Sequence, residues 1–298
     1  MAPSFGIRHL DAFAARRFVD ATGYELPYRL LLPAAGAPPG RYPLLLVLHG
    51  AGERGTDNVA QLANGIAEVL IEHRAAFPCI AVIPQCPPGR RWVEVDWSAS
   101  HHEQPPVPSV PMHAVLALLD EIGRELGGDG AGGLAGESPR GQRAPFLVDA
   151  ERVYALGLSM GGYGVWDALF RQPQRFAAAV PICGGAPGPA AEPDVSSADW
   201  SGQSPTRALC GVAIWAFHGA LDPVVPVERS RRIIAALRRD CPGALRSELR
   251  YTEYAEVGHN AWTHALGEPA LWPWLFAQRR KLVAPAAAGS IVAKGAPY

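Results

Sequence analysis

Between Arg152 and Phe170 the chain runs from a short apolar stretch, Arg152-Val153-Tyr154-Ala155-Leu156, through Gly157-Leu158-Ser159-Met160-Gly161-Gly162, into a stretch with helical spacing. Few architectures accept that order. The apolar run reads as a strand, and the small residues let the following helix lie close against it without a Cβ clash. A serine in the middle of such a strand–turn–helix unit stands on a sharp turn with its hydroxyl exposed above the sheet. The five-residue G-x-S-x-G pattern is weak alone, so the flanking strand and helix carry the inference.

The rest of the chain repeats the alternation. Tyr24 to Leu32, Pro43 to Leu48, Cys79 to Ile83, Ala177 to Ile182, Val212 to His218 and Ser247 to Tyr254 read as strands. Val59 to His73 (with Asn58 as N-cap), Pro111 to Leu126, Gly161 to Arg171, Val227 to Asp240 and Leu271 to Arg280 read as helices. Continuous apolar runs such as Pro43 to Leu48 suit strands buried on both faces, so the fold class is α/β, a mostly parallel central sheet with helices on both faces. Ligands in such sheets sit at the carboxyl ends of the strands. Residues 1–282 are expected to form one domain, with loops at 127–145 and 187–205 and a tail at 283–298.

Composition narrows the function classes. A net charge of −1 argues against nucleic-acid binding, and no run of 18 apolar residues offers a membrane span. The first twenty residues lack an uninterrupted apolar segment, which points to a cytoplasmic protein. Five cysteines, with no C-x-x-C pair, read as buried or incidental thiols rather than a disulfide framework. A Cys210–Cys241 bridge is the alternative.

A serine hydroxyl needs a base, and the base needs a carboxylate to orient it. Both partners are expected downstream of Ser159. Asp222 lies in the Gly- and Pro-shaped loop Gly219-Ala220-Leu221-Asp222-Pro223, leaving a buried strand. His259 follows the last strand in Val257-Gly258-His259-Asn260. His264 competes but falls at a helix start, and His218 reads as a structural hydrogen-bonding residue. An oxyanion needs backbone donors. Met160 N–H is one, and Ala51 N–H the other, with Gly52 as its alternative, from His49-Gly50-Ala51-Gly52-Glu53-Arg54-Gly55. That loop has no phosphate-binding signature. Glu53 and Arg54 are expected to brace it. Trp92, Trp97 and Trp262 are candidate stacking surfaces for an apolar or aromatic substrate group, against the alternative of core anchors. The segment near 90 to 104 is a lid candidate by position. His101-His102-Glu103 reads as a solvated loop, and no metal or cofactor site is expected.

The segments LLLVLHGAGERGTDN, VIPQCP, RVYALGLSMGGYGVWDAL, RFAAAVPICGG, WAFHGALDPVVPV, YTEYAEVGHNAW and LWPWLFAQRR, over roughly residues 42 to 280, resemble the α/β-hydrolase superfamily. More closely they resemble its esterases and predicted peptidases related to dienelactone hydrolases and phospholipase/carboxylesterases. The resemblance implies the α/β-hydrolase fold, Ser159 as nucleophile, Asp222 as acid, His259 as base and an oxyanion hole from the Ala51 and Met160 backbone. It implies a serine carboxylesterase acting on small short-chain or aryl esters. The rival readings are a peptidase or amidase with the same triad, and an inactive hydrolase-fold binding protein.

Overall fold

The computed structural model describes residues 7–126, 146–188, 205–241 and 248–280. The strands are β1 (Ala14–Val19), β2 (Glu25–Leu31), β3 (Gly40–Leu48), β4 (Ile80–Pro84), β5 (Phe146–Leu158), β6 (Ala178–Ile182), β7 (Ala213–Gly219) and β8 (Leu249–Tyr254). They make one sheet in the order β1-β2-β4-β3-β5-β6-β7-β8. β1 and β2 run antiparallel to their neighbours, and every pairing from β4 onward is parallel. β1 has no counterpart in the sequence reading. It is an edge strand with only Phe18 buried, so it has no apolar alternation to read.

Helices α1 (Ile66–His73), α2 (Val110–Glu125), α3 (Met160–Arg171), α4 (Glu228–Asp240), α5 (Trp262–Leu266) and α6 (Leu271–Ala277) cover both faces. Along β3, Leu44, Leu46 and Leu48 join one core with Val115 and Leu119 of α2, Val165 and Trp166 of α3, and Ile233 and Ile234 of α4. Leu45 and Val47 point the other way, into a second core with Ile66 and Leu70 of α1, Ala265 of α5 and Leu271 and Leu275 of α6. A strand buried on both sides cannot alternate polar and apolar residues, which explains the continuous run. Each large side chain taken out of water there contributes about 1.5–3 kcal/mol.

The helix expected from Val59 begins later, at Ile66. Asn58, Asn64 and Gly65 all have positive φ, and the Asn64–Gly65 pair breaks the helical path. Asn58 is a turn residue whose N–H donates to Gln85 Oε1, not a helix cap. The last helix ends at Ala277, three residues short of the expected boundary. The loop at 127–145, residues 189–204 of the loop at 187–205, and the tail at 283–298 lie outside the described residues, as does Ser247.

Two of the five cysteines depart from the expectation of free thiols. Cys210 and Cys241, with Cα atoms 5.4 Å apart, form a disulfide that ties the end of α4 to the segment preceding β7. Cys79, Cys86 and Cys183 are free and buried. The bridge closes a loop of 31 residues in sequence separation. Closing a loop of that size removes about 3–4 kcal/mol of denatured-chain entropy. Reducing it, or making the Cys210→Ala, Cys241→Ala double variant, should lower the urea midpoint. A midpoint unmoved by reductant would show that the bridge adds nothing to stability.

Candidate active site

Ser159 sits between β5 and α3 with φ 54° and ψ −117°, a conformation that costs a non-glycine residue energy. The surroundings hold it there. Its N–H donates to Ile182 O at the end of β6, and Tyr163 N–H returns to Ser159 O. A Cβ at Gly161 would stand 1.9 Å from the Leu48 carbonyl oxygen, and one at Gly157 would stand 2.4 Å from the Gly161 carbonyl oxygen. Only hydrogen fits at these two positions, so the glycines flanking the serine are dictated by strand–helix approach.

The β7 and β8 loops bring two side chains to this turn. Leu221 N–H donates to Val257 O, lacing the two loops together. A Cβ at Gly219 would meet Gly258 O at 2.1 Å, so that crossing also depends on a missing side chain. His259 Nε2 lies 2.8 Å from Ser159 Oγ, and His259 Nδ1 lies 2.7 Å from Asp222 Oδ2. Nδ1 faces a carboxylate and therefore carries the proton, which leaves Nε2 as the acceptor for the serine hydroxyl. The sequence candidates Ser159, Asp222 and His259 thus form one hydrogen-bonded chain. His264 lies in α5, against Tyr254.

The Asp222 side chain is fully buried. Burial alone would raise its pKa. Hydrogen bonds from His218, His259 and the N–H groups of Val225 and Val224 overcome that and hold the carboxyl well below the usual carboxylate range. Cys183 follows β6 beside it. Burial pushes the Cys183 thiol up to about 12, so it remains a neutral thiol.

Ala51 and Met160 each open a helical turn, at Ala51–Glu53 and at α3, where the first N–H groups have no intrahelical acceptor. His49 was not singled out as a site residue. It is buried, its Nε2 accepts from Cys86 N–H, and its Nδ1 is 2.6 Å from Gly50 O. That pairing places the proton on Nδ1. The ring therefore holds the Gly50 carbonyl, and in a trans peptide the Ala51 N–H must point the opposite way. Arg54 Nε donates to Ala51 O and secures the next peptide. Glu53 is buried, and burial raises its pKa.

Burial pushes His49 down to about 4, and burial with the charges of Arg229 and His101 brings His102 to about 4. Between pH 6.5 and 4 the unfolded chain therefore binds protons that the fold excludes, so stability falls as pH drops through that window. For fully buried His49 the contribution is on the order of 3 kcal/mol. Urea midpoints should fall steadily from pH 7 to pH 4, and less steeply in His49→Asn. Equal slopes in the two proteins would remove His49 from the account.

Trp92 is fully buried, with Nε1 donating to His49 O, so it backs the Ala51 loop and offers no stacking surface. Trp97 is half-buried under the Arg91 guanidinium, 4.4 Å from its ring centroid. Trp262 is the one of the three beside the triad, edge-on to the His259 ring at 5.5 Å between centroids. The segment considered as a lid is fastened. Tyr163 Oη donates to Trp97 O, Arg229 Nη1 to Ala99 O, Arg232 Nη1 to Ser100 O and Arg171 Nη2 to Pro105 O. His102, expected in solvent, is half-buried and bonded to Arg229. His101 and Glu103 are exposed.

No protein-family model matches the chain. A crystal structure of a thermostable esterase is 35% identical, with a TM-score of 0.69, and the match covers 91% of this chain and 64% of that one. The protein NocK of Nocardia uniformis subsp. tsuyamanensis, described as a "putative esterase", is 26% identical over 228 residues, 73% of this chain and 51% of its own length. The chain therefore spans about half the length of that curated relative. An acetyl xylan esterase from Aspergillus awamori shares the fold at 13% identity and a TM-score of 0.56, covering 88% of this chain and 99% of that one. The eight-stranded, mostly parallel sheet with helices on both faces is an α/β-hydrolase fold, and the chain is similar in sequence and structure to esterases built on it.

Proposed function

We propose that the chain is a serine carboxylesterase, built as one hydrolase domain over residues 1–282 and acting on small short-chain or aryl esters. The observation that carries this reading is the continuous hydrogen-bond chain from Ser159 Oγ through His259 to Asp222. In the proposed reaction His259 Nε2 takes the Ser159 proton as Oγ bonds to the ester carbonyl carbon. The carbonyl oxygen becomes an oxyanion held by the N–H groups of Ala51 and Met160. His259 then returns the proton to the departing alcohol, leaving an acyl-serine. Water, deprotonated by the same ring, attacks that acyl group and releases the acid and the free serine. No metal or cofactor takes part in this scheme.

Hydrolysis of p-nitrophenyl esters from acetate to decanoate tests the reading. Turnover concentrated on the short chains, with one equivalent of fluorophosphonate on Ser159, is the expected result. A matched anilide hydrolysed faster than its ester would favour the peptidase or amidase reading. Absence of both turnover and labelling in folded protein would favour an inactive binder.

Among the described residues no helix is long and apolar enough to cross a membrane. Disulfides are rare in a reducing cytosol, so the Cys210–Cys241 bridge weighs against the cytoplasmic address suggested by the N-terminal residues. Counting three titratable thiols rather than five in denatured protein from its native compartment would place it in oxidising surroundings.

A further inference from the structure

We propose that Ser230 and His218 are a positioning pair for the triad carboxylate: the Ser230 hydroxyl sets the tautomer of His218, and the His218 N–H fixes the plane of Asp222. The proposal rests on the triad reading above. Neither residue touches the reacting atoms. His218 is fully buried at the end of β7, and Ser230 is 2% exposed in the first turn of α4.

The geometry dictates where the protons are. His218 Nε2 faces two acceptors, Val225 O at 3.0 Å and Asp222 Oδ2 at 3.2 Å, so Nε2 carries hydrogen. Nδ1 faces Ser230 Oγ at 2.7 Å. With Nε2 protonated, a neutral ring offers a lone pair at Nδ1, and the serine hydroxyl donates to it. Other polar groups around the ring are committed elsewhere. Glu253 of β8, in register with His218, is held by Arg231 and by Tyr251 Oη. Cys183, a neutral thiol, hydrogen-bonds the Asp222 carboxylate rather than the ring, as a weaker S–H contact beside the His218 N–H.

The effect on Asp222 follows. Oδ1 is anchored by Val224 N–H at 2.8 Å and Val225 N–H at 2.9 Å. One anchored oxygen still lets the carboxylate rock about that point. Oδ2 must be held by something other than His259, because His259 is the group whose orientation the carboxylate has to fix. His218 is that second anchor. Its bond to Val225 O also ties the turn bearing Asp222 back to β7, so carboxylate and backbone are held by one N–H.

The test compares His218→Leu, His218→Gln, Ser230→Ala and Ser230→Thr with wild type and Ser159→Ala, on p-nitrophenyl acetate and by fluorophosphonate labelling rate. Losing one charge-assisted hydrogen bond corresponds to about a 10- to 100-fold loss in kcat for His218→Leu, with KM within about twofold. The labelling rate should fall in parallel. Gln restores an N–H at similar reach and should recover most of the loss. Ser230→Ala should lose kcat to a smaller extent, and Ser230→Thr, which keeps the hydroxyl, should not. Wild-type kcat in folded His218→Leu would overturn the proposal, as would equal kcat in the Leu and Gln variants. If His218→Leu does not fold, Ser230→Ala against Ser230→Thr decides. Failure of the triad reading looks different, because Ser159→Ala would then remain active.

Discussion

Ser159→Ala should lower kcat by about 10⁴- to 10⁶-fold while leaving the circular dichroism spectrum and urea midpoint nearly unchanged. The hydroxyl is the only group removed, and its partner is His259, which stays bonded to Asp222. The residual rate would come from binding and the backbone donors alone. A companion variant separates chemistry from strain. Ser159 occupies φ 54°, where glycine has no Cβ penalty. Ser159→Gly should therefore be equally inactive but more stable, by about 1 kcal/mol. Near-wild-type turnover in either variant would sink the mechanism. A less stable glycine variant would remove the claim that the serine conformation is strained.

Asp222→Asn should cost about 10⁴-fold in kcat, and at least as much as Asp222→Ala. The reason lies in what surrounds each oxygen. Two backbone N–H groups donate to Oδ1, so the asparagine oxygen will take that place. Its NH2 must then face His259 Nδ1 and His218 Nε2. A donor facing Nδ1 selects the tautomer with hydrogen on Nε2, and that hydrogen points at Ser159. The base is lost without a change of position. At His218 the NH2 meets another N–H, which adds a local cost that alanine avoids. If Asp222→Asn proved clearly more active than Asp222→Ala, the tautomer argument would fail.

The sequence was legible where one residue type answers one steric demand. The glycines around Ser159 mark the place where a helix passes within contact of two carbonyl groups, and the unbroken apolar run of β3 marks a strand covered twice. The placements of Asp222 and His259 could be read because each follows one of two parallel strands and so comes to the same end of the sheet. His49 was harder, since its importance lies in which ring nitrogen Cys86 N–H occupies, a contact across 37 positions of chain. Trp92 looked like a surface for substrate, yet its indole N–H is spent on His49 O. The Cys210–Cys241 bridge stood in the sequence only as the alternative to free thiols, because spacing along the chain says nothing of which helix end meets which loop. Edge strand β1 escaped because exposed residues leave no pattern.

The fastening of residues 97–105 has an evolutionary consequence. The acceptors there are main-chain oxygens of Trp97, Ala99, Ser100 and Pro105, while the donors belong to the helices α3 and α4. Every amino acid carries a carbonyl, so the tether survives replacement of the tethered side chains. Mutational drift between the fastening points is thereby decoupled from the cost of losing the segment's course. A lineage, or a library confined to Ser98, Ala99, Ser100 and His101, can sample new side chains on an unchanged backbone track.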